Sequence, residues 1–286
     1  MRYGITMFAT DVSIDVVELA REAEARGLQS LWLPEHTHIP VSRRTPPPTG
    51  DAELAEEYKR CLDPLVALAA AASATTTLRL GTGILLAAQR EPIVTAKAVA
   101  TLDHLSGGRA ALGVGFGWNE DELEHHGVAM SQRRAVARER LLAMQALWAD
   151  DEASFAGEHV RFSPSWSWPK PVQRGSGGRP RVPVLHGGAA GPILFEQVAE
   201  YGDGWIPIGG SGLTDAIPRL REAVAGAGRD PDDLEIVPFG SIPDPGKLDH
   251  FERIGVTECV FRLPSAPRDV VLPLLDRQAA LVASRA

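Results

Sequence analysis

The sequence predicts an α/β chain folded as a (β/α)8 TIM barrel, a single domain over 1–286 with insertions after the second and fourth strands. Three observations predict it. Strand-like and helix-like runs alternate along the chain, which implies a parallel sheet. Eight strand candidates share 286 residues, roughly 36 per strand–helix unit, which suits a barrel carrying insertions. The first strand–helix turn, FATDVS, has no Gly-rich dinucleotide fingerprint, which counts against a doubly wound open sheet.

The first strand is 2–8 (RYGITMF). Val16, Leu19, Ala20 and Ala23 then recur at helical spacing, and Gly27 stops that helix. The second strand is 30–34 (SLWLP). Asp63-Pro64 opens a helix with proline in its first turn, where the missing N–H has no partner to lose. Leu65, Leu68, Ala69 and Ala72 give it one apolar face. The third strand, 78–86, is broken by Gly81 and Gly83. Glu91-Pro92 starts a helix with Val94, Ala98, Leu102 and Leu105 on one face, and Gly107-Gly108 ends it. The fourth strand is 109–115, and Ala137, Leu141, Met144 and Trp148 mark the helix after it. Strands five to eight fall at 182–185, 204–207, 234–238 and 258–262. Helices near 191–201, 212–227 and 268–283 accompany them, with a short one near 247–254.

Two segments exceed ordinary loop length: 36–60, which holds Pro46-Pro47-Pro48, and 151–181, which holds Trp166, Trp168, Pro169 and Pro171. Each reads either as a lid or binding loop or as a surface cover or oligomer contact. Composition excludes several classes. Hydrophobic residues at 44% and charged residues at 23% are ordinary globular values, so disorder and collagen are out. Cys61 and Cys259 are too few for a disulfide scaffold and fit a reducing cytosol. No apolar run reaches the length of a membrane span, and the start MRYGITMFATD lacks a signal-peptide core, so a cytoplasmic location is expected. A net charge of −8 argues against a general nucleic-acid or anionic-membrane surface, leaving a small molecule as the expected partner.

Barrel active sites lie at the C-terminal ends of the strands. The second strand ends in Glu35-His36-Thr37-His38. Extended alternation would put His36 and His38 on one side, a spacing that also suits metal ligands, with His186 as a third. That gives a metal-dependent hydrolase as a remote alternative, although the eighth strand ends Arg262-Leu263-Pro264 without an Asp. The other reading is one site histidine and one loop histidine. The third strand ends near Thr82-Gly83-Ile84, and the fourth in Gly113–Gly117, a weak Gly-x-Gly-x-Gly run that includes Gly115. His186-Gly187-Gly188-Ala189 precedes a helix at once, so its backbone N–H groups suit a phosphate, or it is simply a tight turn. Trp118 and Trp205 lie at strand ends, where they could line a pocket for a flat ring. His125 and His126 read as surface residues. No nucleophile motif or P-loop is present.

Five stretches in order resemble a known family: AREAEARGLQSLWLPEHTHIP, DPLVALAAAASATTTLRLGTGILL, TLDHLSGGRAALGVGFGWNEDEL, WPKPVQ and YGDGWIP. They resemble the luciferase-like monooxygenase superfamily, specifically its coenzyme F420-dependent oxidoreductase branch, over about two thirds of the chain between 20 and 207. The resemblance implies a barrel with a flat flavin or deazaflavin at its C-terminal mouth. It implies a bulge after the third strand on a non-prolyl cis peptide, here near Gly83–Ile84, with Thr82 and Gly115 beside the cofactor. It implies His36 facing the reactive part of the ring as catalytic group, with Glu35 as its supporting partner. Gly187, Gly188 and Ala189 would hold the cofactor's phosphate or tail, while His38, Trp118 and Trp205 would shape the substrate side. Phe116 stands where some sugar-phosphate dehydrogenases of this branch carry an acid, which weakens the case for a sugar phosphate. The expected activity is hydride transfer between F420 and a small organic substrate. The alternative is an FMN-dependent monooxygenase. The 25 Arg and 4 Lys suggest a GC-rich, actinobacterial source, where F420 is common, and favour F420. Apolar helices allow a homodimer.

Overall fold

The computed structural model describes residues 1–47 and 53–285, so Pro48 of the proline run lies outside the described residues. The first half of the chain runs β1 (Arg2–Thr6), α1 (Val16–Ala25), β2 (Ser30–Leu33), α2 (Glu57–Arg60), α3 (Pro64–Ala74), β3 (Arg79–Leu86), α4 (Pro92–Ser106) and β4 (Ala110–Gly115). Then come α5 (Glu120–His125), α6 (Arg133–Ala149), β5 (Ala153–Ala156), β6 (Arg161–Ser165), β7 (Val184–Gly187), α7 (Pro192–Tyr201) and β8 (Gly204–Ile206). The chain ends with α8 (Leu213–Gly226), β9 (Glu235–Ile236), β10 (Phe239–Ser241), α9 (Pro245–Arg253), β11 (Glu258–Arg262) and α10 (Arg268–Ala283). Among the described residues no helix is long and apolar enough to cross a membrane.

Local chemistry sets the helix starts. Asp15, Asp63 and Glu91 each accept two backbone N–H bonds at the first turns of α1, α3 and α4, and Pro64 and Pro92 follow two of them. The αL conformation that ends α4 falls on Gly107, at φ 68°.

One parallel sheet has the order β10-β11-β1-β2-β3-β4-β7-β8-β9. Its two ends are consecutive pieces of chain. Val237 N–H donates to Trp205 O at 2.9 Å on one side, and Val260 N–H donates to Pro238 O at 3.1 Å on the other. The sheet therefore curls until its ends meet on 235–241. Counted as one strand interrupted at Pro238, this stretch is the seventh of eight, and it runs past the predicted end at 238. Proline has no N–H to donate, which accounts for the gap.

Trp32, Leu185, Ile206, Val237, Phe239 and Val260 pack inside the curled sheet, and a larger apolar layer joins the sheet to the helices outside. The third strand runs regularly through Gly81, and its pairing becomes irregular only at Gly83. A Cβ at Gly81 would sit 2.1 Å from the Trp32 ring, so Gly81 makes room for an indole that fills the interior. At the N-terminal mouth the first residues of five strands interlock. Arg79 reaches Glu235 at 2.6 Å and Glu258 at 3.2 Å, Arg2 pairs with both acids, and Ser30 Oγ–H and Trp32 Nε1–H donate to Glu258.

The 151–181 segment carries the antiparallel β5–β6 pair and enters β7 from its N-terminal end. Lys170 Nζ–H donates to Leu147 O at 2.9 Å, and Gln173 Nε2–H donates to Ala110 O at 2.8 Å. These contacts hold the segment over the end of α6 and the start of β4. None of its residues lines the cavity at the C-terminal ends of the strands, and its Trp168 is 56% exposed.

Candidate active site

A cavity of about 540 Å³ lies at the C-terminal ends of the strands. Its lining draws on β1, β2, β3, β4, β7, β8, β10 and β11 through Met7, His36, Ile84, Phe116, Gly187, Ile208, Phe239 and Arg262. The wall is mostly apolar side chain and glycine backbone, and three arginines interrupt it: Arg133, Arg134 and Arg262.

His36 follows β2 and is almost fully buried, its side chain 6% exposed. Its Nδ1 meets Glu122 Oε2 at 2.9 Å and Oε1 at 3.1 Å. Trp118 packs edge-on at 5.8 Å between ring centres, and Tyr58 lies tilted at 5.4 Å. Cys61 clamps the histidine backbone: His36 N–H donates to Sγ at 3.2 Å, and the thiol donates to His36 O at 3.3 Å. Burial pushes the Cys61 thiol up to about 11, so it stays a neutral donor at pH 7. Glu35 does not support His36. Its Oε2 accepts Leu86 N–H at 2.7 Å and its Oε1 accepts Arg90 Nε–H at 2.5 Å, with Arg90 also bound to Asp63. The carboxylate is spent on tying β2 to the end of β3, and Glu122 supplies the partner expected of Glu35.

The Gly83–Ile84 peptide is cis, and the β3–β4 register shifts between Thr82 and Leu85. The Ile84 side chain then fills space left by missing side chains opposite. A Cβ at Gly115 would lie 2.0 Å from Ile84 Cδ1, and one at Gly187 would lie 3.1 Å from it. Thr82 is turned away, fully buried, with its hydroxyl donating to Gly113 O at 2.7 Å. Gly187 and Gly188 line the cavity, whereas Ala189 is exposed and does not. Trp205 also lies outside the lining. Its Nε1–H donates to Gly188 O at 2.8 Å and its ring packs edge-on against Phe195, so it braces the turn from behind.

The structure separates the three histidines of the metal reading. His36 is inside the cavity. His38 is exposed and stacked on His125, Nε2 to Nδ1 2.8 Å, with His126 nearby. Strand geometry ends at Leu33, so the alternation that would have aligned His36 with His38 no longer applies. His186 is fully buried between Phe116 and Tyr201, and burial, then the charges of Arg134 and Arg181, lower it to about 3, so it is neutral. Among the described residues no three His, Cys, Asp or Glu side chains are placed to hold a metal.

Four contributors escaped the sequence reading. Glu122 sits among Glu120, Asp121 and Glu124, which all reach Arg44 outside, and only Glu122 turns inward. Tyr58 comes from the 36–60 segment, where no periodicity guides the eye. Arg133 and Arg134 open α6, an end where the helix dipole disfavours cations, and that misfit was the available signal. Arg134 lies over the Phe116 ring at 4.4 Å and donates to Gln197 of α7 at 2.9 Å. Burial lowers its guanidinium from the ordinary value.

Fold and cavity together define an α/β protein whose strand ends surround a cavity of small-molecule size. The chain belongs to the luciferase-like monooxygenase family, whose model matches residues 9–242. An uncharacterized protein of Mycobacterium tuberculosis is 44% identical over 288 residues, covering 99% of each chain. The F420-dependent glucose-6-phosphate dehydrogenase of Amycolatopsis mediterranei is 30% identical over 77% of this chain and 62% of its own length. Among solved structures, the monooxygenase RslO1 from Streptomyces bottropensis superposes with a TM-score of 0.77 at 22% identity, covering 99% of this chain and 98% of its own. The coenzyme F420-dependent tetrahydromethanopterin reductase from Methanopyrus kandleri gives 0.68 at 19% identity, covering 98% and 96%.

Proposed function

We propose that the protein is an oxidoreductase that uses coenzyme F420 to exchange a hydride with a small organic substrate. The observation that carries this reading is the His36–Glu122 pair opening onto an apolar cavity floored by Gly83–Ile84. The F420-dependent relative at 30% identity supports the choice of cofactor. The residues present fit a flat ring with an anionic tail. Gly83, Gly115 and Gly187 line the cavity and let the Ile84 and Phe239 side chains seat against them, and those two side chains give it apolar walls. Gly187 and Gly188 would receive the tail, with Arg133 and Arg134 supplying charge.

When bound, F420 supplies a hydride donor or acceptor at its deazaflavin ring. The chain's own work is positional and acid–base. Glu122 holds His36 through Nδ1, which fixes the ring and leaves Nε2 as the nitrogen that would serve the cavity His36 lines. Nε2–H gives a proton to the substrate oxygen in reduction, or Nε2 takes one in oxidation. Trp118 and Tyr58 flank His36 and keep water from it. Cys61 and Cys259 are both free thiols, which suits the reducing cytoplasm where we place the activity.

The test is anaerobic reoxidation of reduced F420 against a panel of ketones, aldehydes and conjugated alkenes. Turnover with at least one class, lost in His36→Ala, supports the reading. Oxygen-consuming turnover with reduced FMN and none with F420 would make the protein a flavin monooxygenase instead.

A further inference from the structure

The chain carries a net charge of −8, yet its cavity has the opposite character. Among the described residues the one carboxylate lining it is Glu35, already held by Arg90. Three guanidinium groups line it, at two separate places. Arg133 and Arg134 follow β4 and have no carboxylate within ion-pair range among the described residues. Arg262 closes β11. In the eight-strand ring β4 and β11 are four places apart in either direction, so the two cationic poles face each other across the mouth.

One anionic ligand needs one pole. On the reading above, the cofactor tail takes the pole beside Gly187, Gly188 and Arg134. The second pole has only an internal, exchangeable partner. Arg262 Nη2–H donates to Glu57 Oε1 at 2.7 Å, and its side chain is 56% exposed. Glu57 belongs to α2, a single turn, and its neighbour Tyr58 packs on His36. An exposed ion pair of this kind holds weakly. A planar guanidinium fork at a cavity rim receives a carboxylate or a phosphate equally well.

We propose that Arg262 receives an anionic group on the substrate, a carboxylate or a phosphate ester, and that Glu57 holds its place until the substrate enters. The anion then anchors one end of the molecule at the rim, and the opposite end reaches His36. This assignment rests on the cofactor reading only in reserving the Arg134 pole for the tail.

The experiment titrates the full chain, with and without F420, using benzoate, phenyl phosphate and benzamide, read by tryptophan fluorescence. Both anions, or one of them, are expected to bind about tenfold or more tighter than benzamide, the size of one charge-assisted contact. The tighter of the two anions identifies the group. Arg262→Gln removes the preference, while Glu57→Gln strengthens anion binding severalfold, because the competing carboxylate is gone. Neither variant changes F420 affinity, and thermal melts confirm that each folds. Equal affinity for the three compounds, a preference that survives Arg262→Gln, or no binding by any of them would overturn the proposal. An Arg262-dependent preference in a protein that does not bind F420 would keep the anion site and discard the cofactor reading.

Discussion

At the N-terminal mouth of the barrel the first residues of five strands, Arg2, Ser30, Arg79, Glu235 and Glu258, close on one another. At the C-terminal mouth the strand ends stand back around about 540 Å³. The closed mouth pairs every charge it buries and gives Trp32 Nε1–H an acceptor on Glu258. The open mouth is lined by glycines, and two of its arginines, Arg133 and Arg134, have no carboxylate within ion-pair range among the described residues. Such a network fixes strand register, and a glycine-lined hollow sacrifices packing for room to bind. Stability and the proposed chemistry therefore sit at opposite ends of the same strands.

Substitutions at the two ends test this division. Glu258→Ala removes the buried carboxylate that Ser30, Trp32 and Arg79 share, leaving Arg79 to Glu235 and the Trp32 indole N–H to Ser30 Oγ, and should cost about 3 kcal/mol in denaturant unfolding. A loss below about 1 kcal/mol would make the closed mouth incidental. His36→Ala should lower turnover about 100-fold or more, the ordinary contribution of a positioned acid or base, with little change in melting midpoint. If instead the melting midpoint collapses, the two ends are not separable.

His186 lies between the mouths on β7, buried and held at about 3. The unfolded chain takes up that proton as pH falls through its ordinary value near 6.5, and the folded chain does not. Its contribution is therefore whole above pH 6.5 and declines as pH falls toward 3. Between pH 7 and pH 5 this should remove about 2 kcal/mol. His186→Leu should flatten that part of the pH–stability curve, and an unchanged slope would show that the ring is protonated when folded. The smallest effect belongs to Gly115→Ala. Its Cβ would meet the movable tip of Ile84 at 2.0 Å and press it into the cavity. Cofactor affinity should fall about tenfold, or 1.4 kcal/mol, while the fold is nearly untouched.

What the sequence shows of this arrangement follows from what is local. Alternating strands and helices, capped by Asp63-Pro64 and Glu91-Pro92, lie within single segments, and so do the strand-end residues His36 and Gly187-Gly188. The partners do not. Glu122 is 86 residues from His36, and Glu258 is 228 from Ser30. Only the closing of the sheet brings them together. Strand parity also misleads beside an irregularity. A regular strand would turn Thr82 and Ile84 to the same face, but the shift between Thr82 and Leu85 sends one into the wall and the other into the cavity. His38 fails for the same reason, because β2 has ended before it. Trp205 reaches the end of its strand and still faces the support of the Gly188 turn.

The open mouth is proposed as a deazaflavin site. It is tested most directly by titrating the purified protein with F420 and with FMN and following fluorescence. Micromolar or tighter F420 binding, weak FMN binding, and about tenfold loss for F420 in Gly115→Ala are expected. Tight FMN binding with weak F420 binding, or binding of neither, would contradict the proposal.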